Sequence, residues 1–234
     1  MTREEIESQI ASLLRAQPGL SKKESRDCII VEGTFIFSNS YDDIPIYDEY
    51  LVKIEIPWSF PESMPLVFDT GMQIPPEFEH INPDQSLCLG ASCELWDELE
   101  LYCDASHFIQ TFLPSFLYAV SFFKKYGVKP AYGERKHGTL GLIESFKERY
   151  NTNDPRMLCL FLLMVCHERE YRGHSPCPCG SGKKFRDCHG QPIIHDIRSC
   201  YHNHYQENAI EILTYFNRHR EKLNGKRDSA ARSL

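Results

Sequence analysis

Residues 80–90 read "HINPDQSLCLG", and the reading of Cys88 decides which fold is built around it. "NPDQS" is turn chemistry, because asparagine, proline, aspartate and serine each favour chain reversal. Cys88 is therefore expected just past a tight turn near the surface, with His80 and Asn82 able to fold back toward its sulfur. A free cysteine is most often a small buried core residue. A nucleophilic one needs access, thiolate character and donors for an oxyanion. Asn82 offers a neutral amide donor of that kind, and Leu87 and Leu89 suggest a shallow apolar groove. No Cys-His-Asn protease signature accompanies them. A shallow site with few strong bases suits a carrier cysteine that holds an acyl group as a thioester and hands it to an amine. Such a site mainly positions the groups and suppresses water. Beside this stands the structural reading, in which Cys88 is a packing thiol and His80 pins the loop.

Upstream, "CIIVEGTFIF" (residues 28–37), "YLVKIEIP" (50–57) and "PLVFDTG" (65–71) read as strands. In the second, Val52, Ile54 and Ile56 alternate with Leu51, Lys53 and Glu55, the mark of one wet face. Their close spacing favours an antiparallel meander over parallel crossovers. An N-terminal helix precedes them, with Thr2 and Glu5 spaced as a capping box and Ile6, Ile10, Leu13 and Leu14 on one face. Downstream, residues 105–126 have helical periodicity with an expected break or kink at Pro114, and a glycine-rich loop leads to a helix at "LIESFKERY". Asp154-Pro155 starts another helix containing "MLCLFLLMVC", which is about half the length needed to span a bilayer. An amphipathic helix is expected from about Asp196 to Leu223, then a disordered basic tail.

A net charge of -7 argues against a general nucleic-acid binder. "MTREEIESQIASLLRAQ" lacks the apolar core of a secretory leader. Of ten cysteines, three lie within "CPCGSGKKFRDCH" and the rest are scattered singly, which fits a reducing compartment rather than a disulfide scaffold. A cytoplasmic protein is expected. Cys177, Cys179, Cys188 and His189 can make a closed tetrahedral site with thiolate and imidazole donors, the form of a structural zinc centre. Gly180 and Gly182 permit the tight path that brings the pairs together, and Lys183, Lys184 and Arg186 offset the thiolate charge. His174 and His195 flank the cluster as rival fourth ligands.

Residues 175–190 closely resemble the SEC-C motif, a zinc-binding module of the preprotein translocase motor SecA and of many unrelated bacterial proteins. The resemblance implies zinc and a docking role. A second resemblance covers roughly residues 20–150: "FPESMPLVF … HINPDQSLCLG … W" is similar to the ubiquitin-conjugating (UBC) fold. Phe60, Pro61 and Pro65 match its strand-opening motif, His80 and Asn82 the ends of its His-Pro-Asn tripeptide, Cys88 its thioester cysteine and Trp96 its tryptophan. Ile81 replaces the central proline, and the loop from Asn82 to Cys88 is shorter than in eukaryotic members, leaving the oxyanion role open between Asn82 and His80. With "GERKHGTLGLIESF" (133–146), these features resemble the prokaryotic branch found in anti-phage operons of the cyclic-oligonucleotide (CBASS) type. Its members modify, or become linked to, a nucleotidyltransferase partner. The resemblance also implies an acid near Asp104 that prepares the incoming amine, although Asp104 reads equally as a helix N-cap.

The sequence thus predicts an α+β protein: an antiparallel β-meander flanked by helices in the UBC manner (residues 1–150), followed by a small helical zinc module (151–234). Cys88, His80, Asn82 and Asp104 are the expected catalytic residues, with no activating domain in the chain and a carboxyl-terminal donor protein as partner. His137 is a loop histidine by default, and Cys93 and Cys103 are expected to pack. The rival reading is a non-catalytic adaptor that docks a partner through the zinc module. A nucleic-acid contact aided by the basic tail is the weakest alternative, and no membrane association is expected.

Overall fold

In the computed structural model the chain opens on the expected capping box. The amide of Glu5 donates to Thr2 Oγ1 at 3.2 Å and the amide of Thr2 to the Glu5 carboxylate at 2.7 Å, launching helix α1 (Arg3–Ala16) with Ile6, Ile10 and Leu13 fully buried. The structure describes the backbone of residues 1–130, 136 and 138–231, and the side chains of these except 169 and 220–231. Among the described residues it is a mixed α+β protein with four strands and seven α-helices. The expectation for His137 lies outside the described residues, as does the end of the expected tail.

The strands form one antiparallel meander in the order β1 (Leu20–Glu24), β2 (Cys28–Tyr41), β3 (Ile44–Pro57) and β4 (Leu66–Asp69). Two features differ from the sequence reading. β1, "LSKKE", has one buried residue followed by four exposed ones; a lysine-bearing edge strand of this kind carries little hydrophobic signal and discourages further pairing. The polar stretch after Phe37, beyond the expected strand, is also strand, pairing as far as Tyr41 with Ile44. Asp42 and Asp43 close that hairpin with φ of 51° and 59°, the left-handed pair whose twist matches the flanking strands. The Phe60-Pro61 peptide between β3 and β4 is cis.

The inner face of the sheet, with Phe35, Tyr50, Val52 and Ile54, is covered by α3 (Ala105–Tyr126), which also meets α1. α3 runs through Pro114 without interruption. A helix-interior proline costs about 3 kcal/mol. Phe108, Ile109, Leu113, Leu117 and Val120 are all buried along α3, each worth roughly 1.5–3 kcal/mol, so tertiary burial outweighs the local preference. The shorter α2 (Ser92–Tyr102) precedes it.

The chain divides into two compact units, Met1–Glu134 and Arg135–Leu234, ahead of the expected boundary at residue 150. Helix α4 (Gly138–Arg149) belongs to the second unit because it packs on α7 (His202–Ala231). Its last residue, Arg149, and the following Tyr150 both bond the fully buried Asp196. α5 (Pro155–Cys166) is capped by Asp154 as expected, accepting from the Arg156 amide at 2.8 Å. It carries the apolar run in the interior; no helix of the described residues is long and apolar enough to cross a membrane. The predicted long C-terminal helix is instead two, α6 (Gly190–Arg198) and α7. Ser199 breaks them, its Oγ accepting from the Tyr201 amide at 3.0 Å, since serine satisfies local backbone better at a cap than within a helix.

Candidate functional site

In the first unit, "HINPDQSLC" folds as a miniature hairpin. Ile81 and Leu87 are bridge partners. The Asn82 amide donates to the Ser86 carbonyl at 2.8 Å and the Cys88 amide to the His80 carbonyl at 3.0 Å. The loop is Pro83-Asp84-Gln85: the Gln85 amide donates to the Asn82 carbonyl at 2.9 Å and Gln85 adopts φ 70°. This is a type I turn closed by a left-handed residue, a standard three-residue hairpin loop. Leu87 ties the hairpin to β4 through the Val67 carbonyl at 2.7 Å.

Alternation then sorts the side chains. Ile81 and Leu87 share one face, while His80, Asn82, Ser86 and Cys88 share the other. Leu87 is buried, so it belongs to the core rather than to the expected groove; Leu89 is half-buried. His80 lies against the ring of Phe78 at 5.3 Å, and Phe78 is itself wedged edge-on against Phe116 of α3. The hairpin thus places His80 directly across from Cys88. Asn82 is on the same face one pair further on, but its Nδ2 donates to Ser86 Oγ at 3.0 Å. Ser86 Oγ in turn donates to Asp84 at 2.7 Å, and hydrogen bonds from Ser86 lower the Asp84 pKa. The Asn82 amide therefore serves the turn in this conformation.

Cys88 is half-buried, and burial pushes its thiol above the ordinary value, partly offset by the Gly90 amide. Asp104 is the N-cap of α3: its carboxylate accepts from the His107 amide at 2.8 Å, the capping role its sequence context allowed. Trp96 and Cys93 are buried in α2, whereas Cys103, expected to pack, is exposed at its left-handed C-cap.

The second unit holds a cluster of side chains that could hold a metal ion. One ligand atom each from Cys177, Cys179, Cys188 and His189 lies within 4.8 Å of all the others. A bridge between Pro176 and Lys184 and a bond from the Cys177 amide to the Lys183 carbonyl at 2.8 Å close the knuckle. Gly180 and Gly182, at φ 77° and 74°, make the turn that brings Cys188 back. Cys179 Sγ and Cys188 Sγ are 3.6 Å apart, and His189 Nδ1 lies 3.3 Å from Cys177 Sγ and 3.2 Å from Cys188 Sγ. Tetrahedral zinc with Zn–S bonds of about 2.3 Å places its sulfurs roughly 3.8 Å apart, so the donor set fits such an ion. Cys179 is lowered to about 6, chiefly by Ser181, while burial raises Cys177. His189 is the histidine that joins the three cysteines; His195 on α6 instead contacts Asp196 and, from α4, Arg149, and His174 lies outside the cluster.

The knuckle rests on α5. The Phe161 ring stacks on His189 at 5.3 Å and on Phe185 at 5.8 Å. Among known families, the SEC-C motif matches residues 175–191, one residue beyond the stretch its spacing suggested. The second unit therefore contains a match to the SEC-C motif whose cysteine and histidine side chains converge where they could hold a metal ion.

Sequence reasoning missed the Arg149–Asp196–Tyr150 group. Asp196 is fully buried, takes both oxygens to Arg149 Nε at 3.0 Å and accepts from Tyr150 Oη at 2.7 Å. The partners are far apart in sequence, so only the acidic residue on an otherwise apolar helix face could have signalled them.

Proposed function

We propose that the first unit is a UBC-like acyl-transfer domain in which Cys88 carries a protein C-terminus as a thioester, and that the second binds structural zinc and docks the partner. The observation that carries the reading is the one-faced hairpin, on which His80 lies opposite the half-buried Cys88 and Asn82 beside it. The thiolate attacks an activated carboxyl carbon and expels its activating group; the incoming amine then attacks the thioester, releases the Cys88 thiol and loses a proton. In this reading His80 orders the hairpin and donates to the oxyanion. Asn82 joins it when its amide leaves Ser86. Asp104 acts as a helix cap, with any effect on the acceptor exerted through the position of α3.

Activation comes from a separate protein, and the resemblance to prokaryotic UBC-like proteins points to a nucleotidyltransferase in anti-phage defence as the modified partner, in the cytoplasm. The thiols of the second unit stay reduced there and available to zinc. Co-expression with the neighbouring genes and electrophoresis with and without reductant tests this. A heavier, reductant-sensitive species that disappears in Cys88→Ala is the expected result.

A second reading has specific support. Burial raises the Cys88 thiol, and Asn82 spends its amide on Ser86, as in an adaptor that keeps the fold without the chemistry. An intact complex with no adduct, unchanged by Cys88→Ala, selects this reading.

A further inference from the structure

We infer that Asn151, outside the SEC-C motif, is a positioning residue of the metal centre: its left-handed backbone aims a carbonyl at His189 and fixes which imidazole nitrogen faces the metal. This rests on the zinc reading of the cluster.

The ring of His189 has two distinct ends. Nδ1 faces the sulfurs of Cys177 and Cys188, while Nε2 lies 3.2 Å from the Asn151 carbonyl oxygen. A carbonyl only accepts, so Nε2 carries the proton and Nδ1 presents its lone pair to the thiolate cluster. Without that acceptor the ring is free to take the other tautomer or to turn away.

The carbonyl is aimed by how α4 ends. The Asn151 amide donates to the Glu148 carbonyl at 3.0 Å and the Thr152 amide to the Lys147 carbonyl at 2.9 Å. These are the paired bonds of a Schellman ending, which requires a left-handed residue just past the helix. Asn151 occupies that position with φ 47°. Asparagine tolerates this region far better than most residues and β-branched residues hardly at all. The preceding residues cannot drift, because Arg149 and Tyr150 are both bonded to Asp196. Phe161 holds the face of the ring. One face and one edge of His189 are thereby fixed by residues that lie before the motif in sequence.

Cobalt(II) binding to the full chain tests this, read both as affinity and as the position of the d–d bands, which report how many thiolate and imidazole donors bind. The wild-type chain gives a tetrahedral three-sulfur, one-nitrogen spectrum. Asn151→Val weakens cobalt binding by about ten- to a hundredfold and shifts the bands toward a site lacking the imidazole, whereas Asn151→Gly, which accepts the left-handed backbone, restores both. A purely structural role would lower stability and leave the spectrum unchanged. If Asn151→Val fails to fold, Asn151→Ala replaces it in the comparison. Unchanged affinity and spectrum in Asn151→Val or Asn151→Ala overturn the inference, as does an Asn151→Gly variant as weakened as the other. A wild-type chain with no such spectrum instead removes the zinc reading itself.

Discussion

Asn82 Nδ2 donates to Ser86 Oγ at 3.0 Å across the mouth of the hairpin that carries Cys88. The side chain proposed to meet a developing oxyanion is therefore held by its own turn, and the turn is in turn held by Asp84.

Ser86→Ala separates these roles. Ser86 is buried and exchanges hydrogen bonds with Asn82 and Asp84, so the substitution costs roughly 1–3 kcal/mol of stability, read as a lower urea midpoint for the first unit. It also frees the Asn82 amide, so formation of the Cys88 adduct is expected to persist, while Asn82→Ala slows it. Equal loss in both variants would assign Asn82 to the turn alone.

Burial raises the Cys88 thiol above its ordinary value, so less of it is thiolate at neutral pH than in a free peptide. The sign gives alkylation by iodoacetamide that rises roughly tenfold per pH unit through the neutral range and levels off only above the range where ordinary thiols do. Peptide mapping distinguishes Cys88 from the exposed Cys103 and Cys200. A plateau near neutral pH would contradict the environment described.

Asp196→Ala leaves the Arg149 guanidinium without its carboxylate in a mostly buried position. Breaking a buried pair from one side costs about 3–5 kcal/mol, measured as a drop in the unfolding midpoint of the second unit. Arg149→Met with Asp196→Leu removes both charges and is expected to recover the part of that loss due to the unpaired guanidinium, but not the part due to the Tyr150 hydrogen bond.

Much of this architecture is legible because it is local. The Thr2–Glu5 box, the Asp154-Pro155 start and the cysteine spacing each act within a few residues. What could not be read depends on distant partners. Pro114 sits in an unbroken helix because the sheet buries its neighbours, and the break at Ser199 precedes an α7 whose place is set by α4 and α5. β1 escaped notice because an edge strand of polar residues has no apolar period. At the candidate site, the positions of His80 and Cys88 follow from turn chemistry, but the engagement of Asn82 by Ser86 depends on side-chain geometry. Asp104 could be read as acid or cap, and the cap is the role seen in its bond from the His107 amide.

Phe161 is fully buried and stacks on His189 and Phe185. Phe161→Ala is expected to destabilise the second unit by about 3–5 kcal/mol, and added zinc should recover part of that loss by binding only the folded form. Thermal unfolding with and without chelator measures both effects. A zinc-independent midpoint in the wild-type chain would contradict a structural metal.

Whether Cys88 bonds a carboxyl group is decided by Cys88→Ser, because a serine ester, unlike a thioester or a disulfide, survives thiol reductant. The Cys88→Ser chain, co-expressed with its genomic neighbours, is analysed by intact and fragment mass spectrometry under reducing conditions. Acyl transfer through Cys88 predicts a species of the combined mass less one water, with the linkage at residue 88. An adduct linked elsewhere, or one that persists in Cys88→Ala, would contradict it.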